Sequence, residues 1–204
     1  MKKTFITLLF VLAFSCFHVN DVHSYMTKYK EEYYRLYHIH YIQYPDDCME
    51  NIYWLERAAR ADFCNPRYVG FTIKNEKEWE KYRYLFMMHI NLKLVEQHLR
   101  LGSIYDKQVI YFYDAPFKKQ ILENVEISLQ CYKTALVYWD EAKVWYEKAN
   151  APSFNFLFIT AKQEWEDERE RIMNGKLNYE RTIKREISRV EKNIEQLNQM
   201  SEKY

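Results

Sequence analysis

Histidines and carboxylates are the residues through which this sequence could do chemistry, and their spacing keeps them apart. His38 and His40 form a His-x-His pair. On a helix, residues two apart point about 200° from each other, so the pair cannot hold one metal ion there. His89 and His98 are nine positions apart, about 900° of helical rotation, which places them on opposite faces. Nearly all carboxylates stand beside lysine or arginine at helical spacing, as in Glu164–Glu168–Arg171 and Glu186–Arg189. Such runs read as solvated faces whose pairs are worth tenths of a kcal/mol each. A glutamate set in a pocket as a general acid for glycan chemistry would escape this test, because burial is not written in spacing. The sequence contains no HExxH, CxxC or GxSxG, and three glycines leave no material for a phosphate-binding loop. No catalytic, cofactor-binding or metal-ligating residue is assigned, and a non-enzymatic protein without a cofactor is expected.

The second chemical peculiarity is tyrosine. In "YMTKYKEEYYRLYHIHYIQY", residues 25–44, seven of twenty positions are tyrosine. Tyr25, Tyr29, Tyr33, Tyr37 and Tyr41 follow one another at intervals of four. Each step advances about 400° on a helix, so the ladder drifts into an oblique band broader than one neighbouring helix covers. Tyrosine packs through its ring while its hydroxyl stays wet, a property of interfaces. The band, with Tyr29, Tyr33, Tyr37 and Tyr41 at its centre, is expected to be an interaction surface; intramolecular packing and glycan stacking are the alternatives.

These residues must be positioned by helices. Only three glycines and four prolines occur in 204 residues, which disfavours an all-β fold and favours long uninterrupted helices. The first residues predict export. A basic "MKK" precedes an apolar run from Phe5 to Phe17, too short to span a bilayer and suited to a signal peptide. Cleavage after Ser24 removes residues 1–24 and leaves 28 basic and 28 acidic residues. That balance offers no basic stripe, so nucleic acid is not an expected partner. Alternatively "LAFSC" marks Cys16 for lipidation, which would make the protein a membrane-anchored lipoprotein; otherwise the periplasm is its expected place. Cys48, Cys64 and Cys131 remain, and three buried thiols are expected, with at most one bridge to Cys131.

The periodicity predicts helices over residues 25–44, ended by Pro45; over 48–63, capped by Asp46 or Asp47; and from Asn75 with Glu78 to Gly102. A fourth opens at Asp114 and Pro116 and runs to Asn150, and a fifth starts at Ser153. The turn Asn174–Gly175 leads into the last. There Ile183, Ile187, Val190, Ile194 and Leu197 are spaced 4, 3, 4 and 3, the seam of a coiled coil. The charged fifth helix is a poor mate for this seam, so part of it is expected to stay open for another protein; full burial within the chain is the alternative. Residues 25–150 are read as a helical domain and 151–204 as a charged hairpin or coiled-coil arm.

Two fragments resemble pieces of a tetratricopeptide repeat. "LGSIY" (Leu101, Gly102, Tyr105) matches a first repeat helix, and "ALVYWDEA" (Ala135, Trp139, Ala142) a second. Small residues at one helix contact let an aromatic side chain insert between close backbones. The expected fold is therefore all-α, an antiparallel, degenerate tetratricopeptide-like array with a C-terminal hairpin or coiled-coil arm.

From about residue 51 to 150, "WLERAARADFCNPRYVGF", "EWEKYRYLFMMHINLKLVEQHLRLGSIYDK", "YFYDAPFKKQ" and "YKTALVYWDEAKVWY" resemble spirochaetal periplasmic helical proteins of the flagellar motor collar. The resemblance implies a scaffold subunit that binds other collar or stator components. From the residues alone, an exported helical adaptor is expected, touching other envelope proteins through the tyrosine band and the C-terminal seam, and the membrane only through a lipid anchor. A peptidoglycan or glycan binder using the aromatics of 105–113 is the alternative.

Overall fold

The computed structural model describes residues 26–106 and 117–200. The expected leader, Cys16, residues 107–116 with their aromatics and the start of the fourth predicted helix, and residues 201–204 lie outside these. Six α-helices follow in order: α1 Lys30–Gln43, α2 Cys48–Arg60, α3 Glu76–Tyr105, α4 Lys118–Ala149, α5 Gln163–Met173 and α6 Tyr179–Gln199. Among the described residues there is no strand, only an isolated bridge between Tyr29 and Asp62. The fold is all-α, as composition requires.

Local chemistry sets most boundaries. Pro45 cannot continue α1, and the Tyr44 N–H closes its last turn on the His40 carbonyl at 2.7 Å. Asp47 caps α2 by accepting from the Glu50 N–H, and Asn75 caps α3 by accepting from the Glu78 N–H at 2.9 Å. Lys30 buries its ammonium against the carbonyls of Ala58 and Ala59. It thus meets the negative end of the α2 dipole.

The pairs α1–α2, α3–α4 and α4–α6 run antiparallel, as cross-links at their opposite ends show. Lys30 meets Ala58 while His40 meets Asn51; Tyr84 stacks near Trp145 while Ser128 reaches Gly102; Lys143 pairs with Glu180 while Lys118 reaches Met200. The centre is α3. Its expected stripe of Trp79, Tyr82, Phe86, Ile90, Leu94 and Leu101 is buried, but so is every residue from 85 to 92. Other helices enclose it on all sides.

Three expectations are corrected. Gly102 does not end α3, which continues to Tyr105. Its missing side chain instead admits the Tyr132 ring of α4: a Cβ there would lie 2.6 Å from Tyr132 Cε1. Second, the C-terminal seam is closed within the chain. Ile183, Val190 and Leu197 are fully buried, with Ile187 and Ile194 partly so, because α6 packs along α4 and not along α5. Arg189 fastens it further by gripping Asp106 at the end of α3 through Nη1 and Nη2 of its guanidinium. Third, no helix starts at Ser153. Residues 152–162 hold only two short 3-10 turns, Pro152–Phe154 and Thr160–Lys162, before α5 begins at Gln163.

Residues on both sides of position 150 share one core, in which Ile159, Trp165 and Ile183 join the side chains of α2, α3 and α4. No described helix is long and apolar enough to cross a membrane.

Candidate functional site

The tyrosine band turns inward. Tyr37 is buried and stacks on Tyr41 with ring centroids 5.5 Å apart, and Tyr33 stacks on Trp54 at 6.4 Å. Tyr33 donates its hydroxyl hydrogen to the Thr27 carbonyl at 3.0 Å. Only Tyr29, at the entrance of α1, is exposed among the four. The band was expected to face a partner because its width exceeds one helix; both α2 and α3 cover it.

Beneath Tyr34, the neighbour of that ladder, lies a line of polar groups that spacing alone placed on separate surfaces. Tyr34 O–H donates to His89 Nε2 at 2.7 Å, and His89 Nδ1–H donates to Glu168 Oε2 at 2.6 Å. Lys93 stands 3.6 Å from the other Glu168 oxygen and 3.3 Å from Glu96, which accepts from the Tyr179 hydroxyl at 3.0 Å. His89 is fully buried and Glu168 nearly so. Burial, aided by Glu164, pushes the Tyr34 phenol well above the ordinary tyrosine range. It is therefore a fixed neutral donor, not a nucleophile at neutral pH. Burial opposes the charge of Lys93, but Glu96 and Glu168 together hold its pKa above the usual value.

His89, Glu164 and Glu168 bring their ligating atoms within 4.8 Å of one another, a His-carboxylate set that suits a divalent ion in kind. A cation there would have to break the His89–Glu168 hydrogen bond and lie against Lys93. The ammonium already supplies the positive charge that the carboxylate demands. A cleft of about 380 Å³ opens above, lined by Tyr34, His38, Lys162 and Glu164 among others.

The second polar group is built differently. Lys81 of α3 and Glu166 of α5 form an ion pair at 2.7 Å with both side chains buried. Arg169 adds a hydrogen bond to Glu166 at 2.9 Å and another to Asn150 at 2.7 Å. The pair also seizes the chain between the 3-10 turns. Lys81 donates to the Leu157 carbonyl, and Glu166 accepts from the Ile159 N–H at 3.1 Å. These backbone groups would otherwise serve a helix, so the charges explain why residues 157–159, after the turn at Asn155 and Phe156, do not continue as a helix.

That break in the helix has a visible result. Phe154 is buried, whereas Phe156 is fully exposed, Phe158 is 53% exposed and Met173 is 50% exposed. All four line one cleft of about 350 Å³ whose floor includes Lys81, Asn150 and Arg169. Desolvation lowers the Lys81 pKa, Glu166 works against that, and the nearby Arg169 adds to it. None of these residues was singled out from spacing. A signal was present in "APSFNFLFI", whose phenylalanines alternate, but its structural cause lies far off in sequence.

Residues 77–200 match the family described as Domain of unknown function (DUF8513). The chain belongs to DUF8513. The DUF8513 match covers α3 to α6 up to residue 200 and therefore all residues of the phenylalanine-rimmed cleft; of the Tyr34–His89–Glu168 line it leaves out Tyr34. No curated protein and no solved structure matches the chain.

Proposed function

We propose that this DUF8513 protein is an exported, non-enzymatic helical adaptor that binds another envelope protein through the cleft rimmed by Phe156, Phe158 and Met173. One observation carries the reading: a phenylalanine with its whole side chain in solvent sits beside two half-exposed apolar neighbours, and a buried ion pair holds it there. Aromatic side chains around a small cleft are the usual anchors of protein recognition. The site moves from the tyrosine band and the α6 seam, which the fold covers, to the 154–158 segment. Export rests on the leader-like residues 1–24, and the finer idea of a flagellar collar subunit rests on the resemblance of residues 51–150 alone.

A photo-crosslinking phenylalanine analogue at position 156, activated in intact cells, tests the proposal. A discrete protein adduct is expected at 156, absent from position 195 on α6, and lost when Phe158→Ser and Met173→Ser are combined with it. Equal labelling at 156 and 195 would overturn it.

A further inference from the structure

We infer that the cleft is selective for a carboxylate, and that its occupant is the C-terminal end of a partner chain whose last residue is apolar. This deepens the adaptor reading and rests on it. The argument begins with charge. The lining contains two cations, Lys81 and Arg169, and no carboxylate. Glu166, behind them and fully buried, neutralises one of the two, so the floor keeps one positive charge. A single negative charge completes it.

Hydrogen-bonding capacity agrees. Arg169 uses Nε on Glu166 and Nη1 on Asn150. Its Nη2 has no hydrogen-bond partner among the described residues, and its side chain is the most accessible of the three charged groups. A guanidinium edge in this state suits one carboxylate oxygen. The Asn150 and Asn155 side chains also line the cleft and can serve the last peptide unit.

Shape and polarity select the source. The two cations are far less exposed than Phe156, Phe158 and Met173, the apolar side chains that reach solvent. A volume of about 350 Å³ holds roughly one large side chain with its backbone, at the lower end of ordinary ligand sites. A chain terminus enters such a cleft end-on, carboxylate foremost, with its last side chain against Phe156, Phe158 and Met173. An internal aspartate would have to bring two flanking chain segments past the same rim. A doubly charged phosphate would overcompensate the floor and lose more hydration among the phenylalanines.

Binding to the full chain is measured by NMR titration with four probes: N-acetyl-Ala-Phe as the free acid, the same dipeptide as its amide, N-acetyl-Asp-Phe-amide, and inorganic phosphate. The free acid is expected to bind at least tenfold more tightly than the amide and the aspartyl probe, and phosphate is expected not to displace it. Arg169→Gln should erase the acid-over-amide preference, Arg169→Lys should keep most of it, and Phe156→Ser should weaken acid and amide alike. Acid and amide binding within twofold of each other on the unaltered chain, or no binding of the acid, would overturn the inference without recourse to any variant. Equal binding of the aspartyl probe would overturn the assignment to a chain terminus, and displacement by phosphate the carboxylate selectivity. If acid and amide bind equally while crosslinking at 156 persists, the adaptor reading stands and this inference alone fails.

Discussion

His98 stacks on Tyr138 with ring centroids 5.4 Å apart, and neither of its ring nitrogens has a hydrogen-bond partner among the described residues. Burial lowers its pKa below the ordinary 6.5, with Glu56 opposing weakly. The unfolded chain therefore binds this proton more readily than the folded one, and stability falls as the pH drops through the unfolded value of about 6.5. Urea unfolding between pH 7.5 and 5 should show this loss, and His98→Leu should reduce it; an identical pH slope in the variant would exclude His98 as the cause. Gly102 gives a second test at this scale. Its alanine variant would drive a methyl group into the buried Tyr132 ring, whose hydroxyl is tied to Asp106. Overpacking of this kind costs about 1–3 kcal/mol. A loss under about 0.5 kcal/mol in urea unfolding would mean that the ring moves aside freely.

At the scale of elements, the segment between α4 and α5 owes its path to charges on two other helices. Lys81→Met leaves Glu166 with Arg169 as its one cationic partner and frees the Leu157 carbonyl. The Ile159 amide should then exchange with solvent at least tenfold faster, while amides in the middle of α4 keep their protection; unchanged exchange at Ile159 would show that Phe154 and its neighbours hold the segment without the ion pair. The same dependence explains what could be read in the sequence. The caps Asp47 and Asn75, the break at Pro45, the turn at Asn174–Gly175 and the apolar stripe of α3 are local signals, and each stands where spacing puts it. The inserted aromatic at a small residue was legible too, at Gly102, although the ring that enters there is Tyr132. The cleft was not. Glu164–Glu168–Arg171 and the "EDERER" run look like a solvated face, yet Glu166 and Glu168 are buried because Lys81, His89 and Lys93 wait for them on α3, more than seventy positions earlier. A periodicity cannot show a partner that distant.

For the whole molecule, the common core across position 150 implies that the helices melt together. Cys48, Cys64 and Cys131 are free, buried thiols, and burial raises all three pKa values, that of Cys64 to about 12. Thiolate is the reactive form, so these three should stay silent toward a disulfide reagent in the native chain. They should become reactive at the same urea concentration at which helicity is lost; earlier exposure of any one would reveal a separately melting unit. The enclosure of α3 has one more consequence, for the order of biosynthesis. This most buried helix leaves the ribosome well before much of its cover. Tyr132 and Tyr138 of α4, Glu166 and Glu168 of α5, and Tyr179 and Arg189 of α6 all arrive later. A half-made chain can cover its central rod only on the side that α1 and α2 occupy. Every nascent copy thus passes through a stage at which residues 76–105 lack the cover of α4, α5 and α6, and that stage ends only when α6 has emerged.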